Sequence, residues 1–203
     1  MAEHRARVIA RWAVAAALLL VTACHQDSSV GRSAIDFLPS RVWSSSDVDA
    51  NELYRLATGQ VAKALPGAKH SMFIFSGRCD TMVQLRGRVV FNFSRVDRIL
   101  LHTRVMDALV TADTVLGILA VDILDESKEG PPAESHRFPG SATITRVLAV
   151  ARQHLPEPLP NDCNVTVTQV ARGWRVRCDG AAAVDTRCRF DIIDDGQVAS
   201  IAR

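Results

Sequence analysis

What the chain lacks narrows its chemistry first. No Gly-x-Ser-x-Gly sets a serine nucleophile on a sharp turn, and no glycine-rich loop precedes a helix to cradle phosphate. No Cys-x-x-Cys pair is present. His25, His70, His102, His136 and His154 are scattered without metal-ligand spacing, so neither a metal nor another cofactor is expected. A surplus of cations is missing too. The chain has 24 Lys+Arg and 22 Asp+Glu, of which Arg5, Arg7, Arg11 and Glu3 lie in the first 23 residues. The remaining 180 residues are formally neutral, which argues against a nucleic-acid partner. Beyond residue 24 no apolar run reaches the ~18–20 residues of a membrane-spanning helix, and Val115–Val121 is broken by Asp122.

What is present is clearest at the start. Positions 1–24 read MAEHRARVIARWAVAAALLLVTAC. A basic opening, the apolar run Trp12–Val21 and small residues before a cut form the secretory-signal pattern, and the apolar part is too short to span a bilayer. Val21-Thr22-Ala23-Cys24 resembles the lipobox of bacterial lipoproteins. That resemblance implies removal of residues 1–23, a diacylglycerol on the Cys24 thiol, acylation of the new N-terminus (palmitate in many members) and a membrane held through this anchor. Position 25 is His rather than Asp, which in such proteins implies the outer membrane, here its periplasmic face.

With Cys24 lipidated, Cys79, Cys163, Cys178 and Cys188 remain, an even number in an oxidising compartment, so disulfides are expected. Alternation puts Cys163, Cys178 and Cys188 on one face of a three-stranded sheet. A hairpin centred near Ala183 sets Cys178 opposite Cys188, within cross-strand bonding reach. The turn at Arg172-Gly173 offsets Cys163 from Cys178, which leaves Cys163 for Cys79.

In chain order, residues 24–45 read as a tether, from which Phe37, Leu38, Val42 and Trp43 dock on the body. Ser46 caps a helix with Asp49 in the capping-box position, and Leu53, Leu56, Ala57, Val61, Ala64 and Leu65 form its buried stripe before Pro66-Gly67. Residues 71–76 are a strand. Residues 81–95 alternate, with Gly87 a bulge or a hairpin turn, and Ile99–Val105 and Val115–Leu124 are two further strands, although Val96–Val110 also suits a helix. Residues 126–140 are a linker. Ser141 or Thr143 caps a second helix with Ile144, Val147, Leu148, Ala151 and Leu155 buried, and strands follow to the end.

The order helix then strands appears twice, each helix ending in Leu-Pro (Leu65-Pro66 and Leu155-Pro156). Together with the Asp194-Asp195-Gly196-Gln197-Val198 turn, this resembles PepSY-type modules of secreted bacterial proteins, and cystatin-like folds have the same pattern. The fold class expected is α+β, a helix packed on an antiparallel sheet, as two similar units in tandem over residues 46–125 and 141–203. The PepSY resemblance implies the binding or restraint of peptidases.

Candidate acids are few. Asp122, Asp125 and Glu126 lie at a strand end, and Asp191, Asp194 and Asp195 flank a turn. Turn acids are mostly solvated, so catalysis is not expected. His154 at a helix C-terminus suits the helix dipole. The expected function is a non-catalytic protein-binding or inhibitory module in the periplasm, in its sharpest form an immunity protein against an antibacterial effector. An envelope-assembly factor, and an enzyme using Asp122 or Asp194, are the alternatives. The address is testable directly: Cys24→Ser should leave the chain uncut or release it from membranes, as fractionation and electrophoretic mobility will show.

Overall fold

The computed structural model describes residues 34–38, 48–99, 102–126, 136–155, 157–159, 161–179, 188–194 and 199–202. Cys24, His25 and Asp195 lie outside them, as do Val42, Trp43 and Ser46. The elements are β1 (Ala34–Phe37), α1 (Ala50–Ala64), β2 (Lys69–Arg78), a 3₁₀ turn (Met82–Gln84), β3 (Gly87–Ile99), β4 (His102–Asp113), β5 (Ile118–Glu126), α2 (Ser141–His154), β6 (Asn164–Val170), β7 (Gly173–Asp179), β8 (Arg189–Asp194) and β9 (Ala199–Ala202). No helix among the described residues is long and apolar enough to cross a membrane.

All nine strands form one antiparallel sheet in the order β1-β5-β4-β3-β2-β6-β7-β8-β9. This corrects the expected fold class. The body is strand-dominated and continuous, not two helix-packed units in tandem. β2 pairs with β6 from Ile74↔Thr168 to Arg78↔Asn164, so the edges that two separate sheets would expose are joined to each other. Cys79 N–H extends the seam by donating to the Cys163 carbonyl at 3.0 Å. The expected tether is also shorter than residues 24–45, because Ala34–Phe37 adds a strand to β5.

Register keeps one set of side chains inside. Phe75 faces Val89 and Val167, Phe73 faces Phe91, Phe91 faces Val110, Val110 faces Val121, Val167 faces Val176, and Trp174 faces Ile192. All are buried, in one core with Leu53, Ala57 and Val61 of α1 and Ile144, Val147, Leu148 and Ala151 of α2. Both helices therefore cover the same face. Burying a Phe, Leu, Ile or Val side chain stabilises by roughly 1.5–3 kcal/mol, and this row-by-row match is where most of that gain is collected.

The helix stripes follow the 3.6 period, with Ala64 exposed where burial was expected. Their caps differ from expectation. Asp49 is the N-cap of α1, and its Oδ1 accepts the Asn51 N–H at 2.9 Å. Gly140 is the N-cap of α2 and makes no side-chain cap bond. Ser141 instead serves α1: its Oγ accepts from Asn51 N–H at 2.8 Å and donates to Asp49, while Ser141 N–H donates to Asn51 Oδ1 at 3.0 Å. The two helix starts thus satisfy each other's orphan donors.

Residues 82–84 are the 3₁₀ turn rather than strand, with Leu85 in the left-handed region at φ 53°. Gly87 is neither bulge nor hairpin turn. It opens β3 opposite Gly77, where a Cβ would stand 2.4 Å from the Ser76 carbonyl oxygen. The expected strand Ile99–Val105 is the end of β3 and the start of β4, paired from Arg88↔Asp113 to Ile99↔His102, so the helical alternative for Val96–Val110 is excluded. β5 begins at Ile118, leaving Val115 and Leu116 in the turn. The β6–β7 turn is Ala171-Arg172, and register runs Gln169↔Trp174 and Val165↔Cys178, two residues from the expected pairing, which preserves the inner face. Gly173 is required by the close approach of β8: a Cβ there would meet Ile192 O at 2.2 Å.

The joined helix caps yield a test. Hydrogen bonds from Ser141 first, then Asn51 and Glu52, hold the Asp49 carboxyl below its ordinary pKa, against a smaller upward push from burial. A depressed carboxyl pKa contributes stability that is present above the unfolded value of about 3.9 and is lost as pH falls through the folded value. Asp49→Ala should cost about 1 kcal/mol at pH 7. Urea titration across pH should show the difference from wild type shrinking below about pH 4.

Candidate functional site

Among the described residues, both helices lie on one face of the sheet and none on the other. The side chains of that other face run in rows perpendicular to the strands, about 4.8 Å from strand to strand. One row reads Ile35, Ala120, Thr111, Val90, Ile74, Thr168, Arg175, Asp191. The positions from Ala120 to Asp191 are half-buried. The row is apolar and hydroxylic in the middle and ends in an ion pair, with Arg175 Nε and Nη2 reaching Asp191 Oδ1 and Oδ2 at 3.0 and 3.1 Å. That bidentate bond, helped by Arg177 and Arg189, holds the Asp191 carboxyl below its ordinary range.

The next row reads Phe37, Ile118, Asp113, Arg88, Ser76, Thr166, Arg177, Arg189. At its centre a groove of about 370 Å³ opens between Ser76, Arg88, Asp113, Leu116, Asn164 and Asp179. Its polar wall is a chain of hydroxyls: Ser76 Oγ lies 3.1 Å from Thr166 Oγ1, which donates to Asp179 Oδ2 at 2.9 Å. Its base is held by Thr114, whose buried hydroxyl accepts the Gly87 N–H at 2.9 Å and donates to Leu85 O at 2.6 Å. Arg177 and Arg189 are exposed and directly opposite each other, a like-charge pair that costs stability unless an anion lies across it.

The sequence-derived site residues fall as follows. Cys79 pairs with Cys163 and Cys178 with Cys188, at Cα–Cα distances of 5.5 and 5.3 Å. These are the combinations that face parity favoured. The two bonds adjoin, since the Sγ atoms of Cys79, Cys163 and Cys178 all lie within 4.8 Å of one another. Across a separation of 84 residues the first bond is worth about 4.5 kcal/mol in the chain-entropy model, less any strain. The grouping of acids near Asp191 is not a cluster. Asp191 is on the open face with Arg175, whereas Asp194 is on the helix face and binds Arg146 of α2 at 2.8 and 3.1 Å. Asp122 lies within β5 opposite Leu109, and Asp125 and Glu126 pair with Met106 and Val105.

His154 and His70 take structural positions. His154 Nδ1 lies 2.9 Å from the Val150 carbonyl, one turn back in α2. His70 is buried in an aromatic group with Tyr54, Phe93 and Phe138, and its Nδ1 lies 3.0 Å from the His136 carbonyl. Tyr54 and Phe138 stack with centroids 4.0 Å apart. The segment after residue 135 is therefore pinned to α1 and β2. Sequence reasoning did not single out the open face. Its signal was present as breaks in alternation: Val90 stands between Arg88 and Asn92, and Ile74 interrupts Phe73 and Phe75.

No family model, curated protein or solved structure matches this chain.

Burial pushes the His70 imidazole below its ordinary pKa, with the hydrogen bond to His136 opposing more weakly. For a base buried neutral, stability is complete above the unfolded value near 6.5 and falls as pH drops toward the folded value. Stability should thus decline as pH falls from about 7 to 5, and His70→Phe should flatten that part of the profile in chemical denaturation.

Proposed function

We propose that the chain is a lipid-anchored lipoprotein on the periplasmic face of the outer membrane that binds a protein partner through its open sheet face. On this reading it restrains the partner, as an immunity protein restrains an antibacterial effector. One observation carries it: among the described residues a nine-stranded sheet is covered by helices on one side only, and the other side combines an apolar strip with fixed hydroxyls and a charged end. Antiparallel sheets tolerate water on one face, but their exposed positions then alternate to polar residues. Ile74, Val90, Leu109 and Ala120 do not, and they sit on neighbouring strands. Rows of this composition, apolar at the centre and charged at the rim, suit a protein interface. The hydroxyls of Ser76, Thr111, Thr166 and Thr168 add donors and acceptors at fixed spacing.

Position-specific photo-crosslinking in the native envelope tests this. A photoreactive residue at Thr111 or Thr168 should give one discrete adduct, while the same group at Ala62, on the exposed side of α1, should not. Val90→Glu, placed in the strip, should abolish the adduct and leave folding intact by circular dichroism. Equal labelling from Ala62, or none from the open face, would overturn the assignment. In a strain exposed to the cognate effector, Val90→Glu should also lose protection.

A further inference from the structure

Among the described residues, four of the five exposed large apolar side chains gather at one corner, the fifth being Ile193 on β8. Ile35 and Phe37 of β1 are 65% and 83% exposed, and Val115 and Leu116 of the β4–β5 turn are 53% and 67% exposed. Phe37 pairs with Ile118 at the start of β5, and Leu38 N–H donates to Gly117 O at 3.1 Å, which brings strand and turn together. The turn is fixed. Asp113 Oδ1 accepts the N–H groups of Val115 and Leu116 at 2.9 and 2.8 Å, and Gly117 N–H donates to Asp113 O at 2.9 Å. The apolar side chains are thus held outward at the end of the sheet.

Basic groups flank them. Arg86 and Arg88 are exposed at the start of β3, and Arg88 pairs across the sheet with Asp113. The nearby acids are engaged: Asp113 with the turn amides, Asp36 with Gln60, Asp80 with Arg78 at 3.0 and 3.1 Å, and the exposed Asp179 of the adjoining groove with Thr166 at 2.9 Å. An apolar tip beside free cations matches the boundary between lipid phosphates and acyl chains.

We propose that this corner docks on the membrane, with Phe37, Val115 and Leu116 entering the headgroup–acyl boundary and Arg86 and Arg88 on lipid phosphates. The proposal rests on the anchor at Cys24 proposed above. Ten residue steps lead from Cys24 to Ala34, a reach of at most about 35 Å, whereas Phe37 stands only ~10 Å further along β1. An anchor at Cys24 therefore keeps the corner within touching distance of the bilayer at high effective concentration. Four side chains offer a few hundred Å², less than the ~800 Å² per partner of a standard protein interface, which favours a lipid surface over a second copy. Docked by its corner, the sheet stands on end and its open face stays accessible from the side.

The full-length protein in vesicles of phosphatidylethanolamine and phosphatidylglycerol tests this. Leu116→Trp and, as a control on β8, Ile193→Trp each add one indole, and quenching by lipids brominated near the headgroup is measured against the parent protein. The Leu116→Trp indole should be quenched several-fold more strongly than the Ile193→Trp indole. Equal quenching, or none, in a chain whose intact mass carries the acyl groups overturns the corner and leaves the anchor standing. An intact mass without acyl groups overturns the anchor. The same measurement on that chain with added vesicles then decides the corner, quenching upholding it and its absence overturning it. A Leu116→Trp indole shielded from bromolipid in proportion to protein density marks a second copy as the occupant and also overturns it.

Discussion

The antiparallel pairing of β2 with β6 is the contact on which everything else depends. It joins strands about 90 residues apart, so its formation closes a long loop before any local contact compensates the entropy. The Cys79–Cys163 bond lies at one end of this seam, and the Cys79 N–H to Cys163 carbonyl bond continues the ladder past it. Without the seam each half-sheet exposes an edge, and the Phe75–Val167 contact that joins the two halves of the core is lost.

Above that seam the helices are tied at their starts. Asp49, Asn51 and Ser141 form a closed set of hydrogen bonds across about 90 residues of sequence, so α1 and α2 are oriented by shared capping as well as by the core. Arg146–Asp194 fixes the far side of α2 to β8. The consequence for function is that the covered face is rigidly committed to the core. The other face is wide and stiffened by eight neighbouring ladders.

Local features were legible and long-range ones were not. Helix stripes and the inner face of β6–β8 follow from periods of 3.6 and 2, and that parity favoured Cys178–Cys188 and left Cys163 for Cys79, although the hairpin centre expected near Ala183 lies outside the described residues. The β2–β6 seam left no periodic trace, because pairing partners in a sheet are chosen by the whole arrangement, and so two units were read where one sheet exists. Glycine misled twice. Gly87 and Gly173 read as turn residues, yet each is demanded by a carbonyl approaching its Cα from the neighbouring strand. Val83 and Leu85 read as the inward side of a strand, whereas the 3₁₀ turn buries Met82 and Leu85, three residues apart, and leaves Val83 half-buried. The candidate face was visible only as exceptions to alternation at Ile74 and Val90, which single-strand reasoning treats as noise.

The sheet is bounded by two very short strands. β1 and β9 have four residues each, whereas β3 has 13 and β4 has 12. At ~3.4 Å per residue, each of these two strands offers an incoming chain a template of only about 14 Å, too little to pay the entropy of ordering another strand. The longest ladder, β3 with β4, lies inside, and β4 is also paired on its other side from Val105 to Asp113. Neither outermost strand is thus long enough to template a long addition to the sheet, so the two borders resist edge-to-edge growth.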